Sequence, residues 1–235
     1  MKNKKWKNFG KLTEMCYLNM LGVEENGNCW DLAFDLLKEI VQEERKTNPA
    51  YASQLEMLDE ETDFEYDIQG WVEDCLDEFD MREDYDLLLR RCDDLLNLFG
   101  WPECSGSDIK FMRASALMSL GRQKEAAAYC RKWIQRESEN IMAAAAGVYA
   151  FIGTGEYEEA EKQIDRFIFD RTDCNGENDI MFTAASKLYE ATGDKRAKKQ
   201  IDRSIQKYEK LLEEYMESLE SEDDLLDFFD GDLPF

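Results

Sequence analysis

The sequence predicts an all-α protein of about ten to twelve helices, arranged as a series of antiparallel helix pairs. Three observations predict this class. Proline occurs at only 3 of 235 positions, so long stretches can form uninterrupted helices. Apolar residues recur at helical spacing along most of the chain. Finally, similar segments return after 34 residues, which is typical of helix–turn–helix units that bury their faces against each other.

The internal repeat is clearest in two segments that align without gaps, LGRQKEAAAYCRKWI from Leu120 and TGEYEEAEKQIDRFI from Thr154. Their glycines, Gly121 and Gly155, are 34 residues apart. A third, shorter copy begins at Thr192, and a degenerate fourth copy lies upstream in MREDYDLLLRRCDDLL. The period predicts consecutive units of one kind between the middle of the chain and its C-terminal part.

Each copy has the composition of a turn followed by an amphipathic helix. The glycine supplies a positive φ between two helices, and the alanine five positions later, Ala126 or Ala160, permits close helix packing. The apolar positions of the following helix keep helical spacing. They are Ala126, Cys130, Trp133 and Ile134 in one copy, and Tyr157, Ala160, Ile164, Phe167 and Ile168 in the next.

The period, the G-x-Y-x-x-A pattern of Gly155–Ala160 and the aromatic residue that follows resemble the tetratricopeptide repeat, from about Met81 to Tyr215. The chain departs from that family in two respects: the first helices lack its Trp and Leu-Gly signature, and no proline closes the units. The resemblance implies a right-handed superhelix, an α-solenoid, whose concave face binds peptides or proteins.

The N-terminal third also predicts helices. Asn28 is placed to cap a helix over CWDLAFDLLKEIVQEERK, and Asn48–Pro49 has the form of a helix start. Thr62–Glu65 has capping-box spacing and predicts a helix that runs through Phe79. Gly100 predicts a helix end after Phe99, with Trp101 folding back on that helix.

We find no linker rich in Gly, Pro or Ser, so the chain predicts a single domain over residues 1–235. Its parts are N-terminal helices (1–80), repeats (81–217) and an acidic, hydrophobic segment (218–235). The basic start of the chain, with five lysines among eleven residues, predicts a first helix whose lysines meet an acidic body.

The formal net charge is −24, which disfavours nucleic acid and anionic membrane surfaces as partners. Such a field would steer basic partners toward the protein, or it only keeps the protein soluble. The acidic stretch from Asp59 to Asp94 has the same two interpretations, and its helical apolar spacing favours a solvated face.

Several kinds of chemistry lack their residues. Histidine is absent, and no phosphate-binding glycine loop occurs, so the sequence predicts neither an enzyme nor a cofactor or metal site. Seven cysteines without a CxxC pair, no signal peptide and no long apolar run predict reduced thiols and a cytoplasmic location.

By elimination and resemblance, we expect a non-catalytic protein–protein interaction module that acts as an adaptor, a regulator or a chaperone-like binder. Projecting the repeat places Phe111, Met118, Tyr149 and Lys187 on the concave face, where Lys187 is the only basic candidate. That face suits an amphipathic helix or an aliphatic peptide. The alternatives are a self-associating scaffold, such as a homodimer, and an enzyme that uses carboxylates.

The C-terminal segment alternates acidic and large apolar residues. It is either a short binding motif or a cap over the open end of the helix array, and it could also lie in the protein's own groove. The apolar residues of this candidate motif are Leu225, Leu226, Phe228, Phe229 and Phe235.

Overall fold

The structure is a computed structural model that describes residues 2–23, 28–102 and 105–218, with side chains described from residue 4 onward. Within those ranges the chain forms eleven α-helices and no strand, so the all-α prediction is confirmed. The chain divides into two compact units, Met1–Ala116 and Leu117–Phe235, and the division falls within the sixth helix.

The helices are numbered in chain order. The first six are α1 (Lys2–Met20), α2 (Cys29–Thr47), α3 (Met57–Glu61), α4 (Ile68–Met81), α5 (Tyr85–Leu98) and α6 (Ser107–Ser119). The other five are α7 (Gln123–Arg136), α8 (Ile141–Thr154), α9 (Tyr157–Phe167), α10 (Asp179–Thr192) and α11 (Lys195–Ser218).

The core of the first unit is aromatic. Trp30 of α2 stacks on Trp71 of α4 with ring centroids 6.0 Å apart, and Phe9 of α1 meets Trp71 edge-on at 5.1 Å. All three side chains are fully buried, so they join three helices through large apolar surfaces. The apolar stripe of α4 faces this core throughout; its residues are Ile68, Trp71, Val72, Cys75, Leu76 and Phe79.

The first helix meets acidic residues, as its lysines predict. Lys5 Nζ donates to Glu39 Oε1 at 2.9 Å and to Glu43 Oε2 at 2.6 Å, which links α1 to α2. Trp101 also folds back as expected, because its ring lies edge-on to Phe99 and its Nε1 donates to the Leu95 carbonyl.

The predicted helix start near residue 28 is confirmed, since α2 begins at Cys29, whereas the one at residue 49 is wrong. Asn28 occupies the N-cap position of α2, but its side chain accepts no capping hydrogen bond. Asn48–Pro49 starts no helix: Asn48 ends α2, its side chain accepts from the backbone N–H of Ala50, and the next helix begins at Met57. The intervening segment forms turns, so the Asn–Pro pair acts as a stop.

The predicted capping box at Thr62 is also wrong. Thr62 Oγ1 donates back to the carbonyls of Leu58 and Asp59, which ends α3. The helix over the α4 stripe begins only at Ile68, and its first N–H groups donate to the buried carboxylate of Asp59. The cap of α4 is therefore supplied by a residue of the preceding helix.

The second unit is built around α8, which packs against α7, α9 and α10, while α10 also packs against α9 and α11. Eight residues of α8 are buried, five of them alanines. Gly147 permits the closest approach, since a Cβ there would lie 2.5 Å from Cδ1 of Ile134 on α7. Small residues thus allow one helix to have three neighbours.

The three turns that follow α6, α8 and α10 have the same backbone geometry. Gly121, Gly155 and Gly193 have φ values of 73°, 77° and 75°, so the predicted positive φ is confirmed at each. After Gly155, the Glu156 N–H donates to the Phe151 carbonyl at 2.8 Å, which caps the end of α8. One stripe residue differs from expectation, because Tyr157 is 40% exposed beside the fully buried Ala160.

Candidate functional site

The predicted binding face lies partly on α8. Met142 and Tyr149 are half-buried on one side of this helix, whereas Ala145 between them is fully buried. Met118, near the end of α6, is half-buried in the same compact unit. The solvent-accessible part of this face is therefore formed by long side chains such as Met142 and Tyr149, which flank the buried Ala145.

The neighbouring helix α10 contributes polar side chains. Thr183 and Lys187 are exposed one helical turn apart, and Lys187 Nζ lies 3.6 Å from Glu190 Oε2. That pair spans adjacent turns of the same helix and is solvated, so it holds the lysine weakly. Lys187 can therefore turn toward an acidic or polar group of a partner.

Phe111 belongs to the first compact unit, whereas Met118, Tyr149 and Lys187 belong to the second. Phe111 is half-buried on α6. The residues of the predicted face that share one compact unit are Met118, Tyr149 and Lys187.

Tyr149 is neutral under physiological conditions. Burial raises the pKa of its phenol above the ordinary value, because the charged form would lose its hydration. The side chain therefore offers an apolar ring and a neutral hydroxyl. Together with Met142, it favours the apolar side of an amphipathic segment over a highly charged ligand.

The structure also contains a groove that the sequence pattern did not predict. It lies in the first unit along α1, is open to solvent and has a volume of about 630 Å³. Tyr17, Leu18, Leu21 and Tyr66 provide its apolar lining. Leu21 is 74% exposed, so a partner could bury considerable apolar surface there.

The loop beside this groove has an unusual backbone. Asp63 and Phe64 have φ values of 52° and 58°, and Asp67 has 41°, a region that residues other than glycine rarely adopt. Phe64 is also 73% exposed. A sequence signal did exist, since Phe64 and Tyr66 are aromatic residues within an otherwise acidic run, which is unusual for a solvated loop.

The acidic stretch from Asp59 to Asp94 is largely solvated, and part of it is paired within the first unit. Arg91, only 7% exposed, lies 2.8 Å from Asp35 and 3.2 Å from Asp94, and it also pairs with Asp31. This network joins α5 to α2. These paired carboxylates serve packing and are not free for a partner.

Within the described ranges, no group of three or more acidic or cysteine side chains is placed to hold a metal ion. No described helix is both long enough and apolar enough to cross a membrane. The candidate motif Leu225, Leu226, Phe228, Phe229 and Phe235 lies outside the described residues.

Comparisons with known proteins found no relative of this chain. The chain matches no protein-family model, no curated protein and no solved structure.

Proposed function

We propose that the protein is a non-catalytic protein-interaction module that binds an amphipathic segment of a partner on the α8–α10 face. The observation that carries the proposal is that α8, with half-buried Met142 and Tyr149, packs against α10, with exposed Thr183 and Lys187. Projecting the repeat puts these side chains on one face. An apolar row beside a polar row matches the two sides of an amphipathic helix.

The helix packing supports a tetratricopeptide-like superhelix as part of this proposal. In such an array, the first helix of a unit packs on its own second helix and on the first helix of the next unit. The pairs α8–α9, α10–α11 and α8–α10 follow this scheme. A cytoplasmic location also belongs to the proposal, supported by free thiols at all six described cysteines.

A pair of matched lysine variants tests the face. Lys187→Glu, the α10 variant, places the opposite charge on the face without touching the core. Lys162→Glu is the control, because Lys162 is similarly exposed on α9 and also pairs with a glutamate three residues away. Quantitative affinity purification from the native cells should show partners lost about tenfold with the α10 variant and retained with the control.

A third variant, Leu21→Glu, tests the groove of the first unit. If partners disappear with Leu21→Glu and persist with the α10 variant, the binding surface is the groove and the proposed face is wrong. Equal recovery of partners with all variants would contradict both surfaces.

The alternative function, a self-associating scaffold, makes a different prediction. Light scattering would give a mass that increases with concentration, and the increase would be lost in the surface variants. A constant monomeric mass from about 1 to 100 μM removes this alternative.

A further inference from the structure

The helix α11 has a cationic stripe on its exposed side. Its members follow each other at spacings of three or four residues, so they share one face of the helix. The stripe consists of Arg196, Lys199, Arg203, Lys207 and Lys210, and each of these side chains is exposed. Ile201, Ser204 and Tyr208 form the buried face of α11, well away from the stripe.

Most of these cations lack a counter-charge in the part of the chain that the structure describes. Lys210 pairs with Glu214 at 3.1 Å, whereas Arg196, Lys199, Arg203 and Lys207 have no ion pair with a described residue. The nearby Asp202 is already engaged by Lys198 at 2.8 Å and by Ser186 at 2.6 Å. Unpaired cations are unexpected in a chain with a net charge of −24, where acidic residues outnumber basic ones 53 to 29.

The position of the cations on the helix is also unfavourable. Lys195, Arg196, Lys198 and Lys199 occupy the first turns of α11, where the helix dipole is positive and disfavours cations. An Asp194 cap on the N–H groups of Arg196 and Ala197 offsets only part of this. An external anionic segment would offset the remaining repulsion. A local arrangement of this kind, unfavourable by itself, is often found where a binding site requires it.

The sequence that directly follows α11 has the complementary charge. Residues 219–235 contain seven aspartates and glutamates and no lysine or arginine. The last stretch of α11 itself is acidic, with Glu213, Glu214 and Glu217. Electrostatics therefore favours the stripe, rather than the adjoining end of the helix, as a binding surface for an acidic segment.

The chain is long enough for this contact. At a rise of about 1.5 Å per residue, Arg196 lies about 33 Å along the helix from Ser218. The tail up to Asp232 contains fourteen residues. In extended form they span about 46 Å. The tail can thus turn and run back along the whole stripe.

We propose that the acidic tail, residues 219–235, docks on the cationic stripe of α11 in the same molecule. Tethering gives the tail an effective concentration on the order of millimolar, so a weak pairing suffices for high occupancy. The docked tail shields the stripe from other anionic chains, and a competing acidic segment would have to displace it. This surface is distinct from the α8–α10 face, so the proposal does not depend on the function proposed above.

A labelled peptide of residues 219–235 tests the docking, with fluorescence anisotropy measured on full-length proteins. In one protein, called tail-neutralised, all seven aspartates and glutamates of residues 219–235 are replaced by the corresponding amides to release its own tail. The peptide should bind this protein about tenfold more tightly than the wild type, whose tail competes for the stripe. Raising the salt concentration to about 0.5 M should abolish binding, because the contact is electrostatic.

Two triple variants of the tail-neutralised protein identify the surface. Lys199→Glu, Arg203→Glu and Lys207→Glu together should weaken peptide binding at least about tenfold. Lys124→Glu, Lys132→Glu and Arg136→Glu, three exposed cations on α7, should leave it within about twofold. Circular dichroism establishes that both proteins remain helical.

Three results would overturn the proposal. The first is equal peptide affinity for the wild type and the tail-neutralised protein, which means that the tail does not occupy the stripe. The second is equal weakening by both triple variants, which means that only net charge matters. The third is a wild-type mass that doubles with concentration while the tail-neutralised protein stays monomeric, which would assign the tail to a second copy.

Discussion

At the scale of single residues, Gly155 is the point where the chain reverses between α8 and α9. Its φ of 77° lies in the left-handed region, where a side chain crowds the backbone. Beyond the adjoining residues, no atom lies within 4 Å of an added Cβ, so the cost of a substitution comes from the backbone alone. We predict that Gly155→Ala lowers the free energy of unfolding by about 1 kcal/mol, measured by urea denaturation.

Gly153, two residues earlier, provides the matched control. It lies within α8, where alanine is a better helix former than glycine. An added Cβ would meet the flexible Gln123 side chain at 3.0 Å, which can shift. Gly153→Ala should therefore leave stability unchanged or increase it, and equal losses for both variants would show that backbone conformation is not the cause.

Buried thiols predict a loss of stability at alkaline pH. Burial, and to a smaller extent the neighbouring Asp93 carboxylate, raise the pKa of Cys92 to about 12. The thiol of an unfolded chain has a pKa of about 8.5, so the folded state retains its proton more strongly. This contribution is fully present below pH of about 8.5 and is lost as the pH rises toward about 12.

The wild type should therefore lose about 2 kcal/mol more than Cys92→Ala between pH 8 and pH 10. Urea unfolding in reducing buffer at both pH values measures this difference. If the two proteins lose the same free energy over that interval, ionisation of Cys92 does not contribute. The lower starting stability of the variant does not affect the comparison, because only the change with pH is used.

Residues near the start of α4 show why some caps could not be predicted from the sequence. The Thr62–Glu65 spacing predicted a cap, but Thr62 ends the preceding helix instead. The actual cap, Asp59, lies nine residues before the Ile68 N–H that it accepts. Capping rules consider contacts between residues two or three positions apart. The contact of Asp59 with Ile68 instead depends on a loop with three left-handed residues.

At the scale of helices, prediction succeeded where the apolar period was long. The α4 stripe and the buried Ala126, Cys130 and Trp133 of α7 follow from helical spacing alone. Tyr157 departs from its stripe because it is the first residue of α9, where the helix has not yet turned fully toward the core. The helix ends that glycines mark were predictable for the same local reason, since only glycine adopts that φ freely.

The contact between α7 and α8 gives a prediction at this scale. An added Cβ at Gly147 would lie 2.5 Å from Cδ1 of Ile134 and 3.3 Å from Cε2 of Phe151. We expect Gly147→Leu to overpack this contact and to lower stability by about 1–3 kcal/mol in chemical denaturation. Ala128→Leu on the exposed side of α7 should change stability by less than about 0.5 kcal/mol.

A double variant separates overpacking from a general intolerance of α8. Ile134→Ala removes the side chain that Gly147→Leu would strike, so the two substitutions together should cost less than the sum of their separate effects. Strictly additive losses would contradict the proposed steric contact.

At the scale of the whole molecule, the all-α class could be predicted because composition and periodicity agree over the entire chain. The candidate binding surfaces were harder to predict from the sequence. Projecting the repeat named Lys187 as a candidate for the binding face, but the groove beside Leu21 depends on how the 62–67 loop meets α1, which no period describes. The pairing of Arg91 with three aspartates from two helices likewise requires tertiary structure.

The net charge predicts how the stability of the protein depends on salt. With a formal charge of −24, most described carboxylates repel each other across the surface, and unfolding relieves that repulsion by moving the charges apart. Added salt screens the repulsion, since the Debye length shortens from about 30 Å at 0.01 M to about 3 Å at 1 M. Salt also weakens attractive pairs such as Lys5–Glu43, but exposed pairs contribute little to stability.

Repulsion should therefore dominate, and the melting temperature should rise by about 2–4 °C between about 0.02 and 0.5 M NaCl, as expected for about 1 kcal/mol of added stability. Choline chloride at equal ionic strength should give the same increase, because screening depends on ionic strength and not on the identity of the cation. A melting temperature that falls with salt would mean that ion pairs, including any between the tail and the α11 stripe, outweigh the repulsion. Repeating the measurement on the tail-neutralised protein separates these contributions, since its remaining charge still repels while its tail no longer pairs.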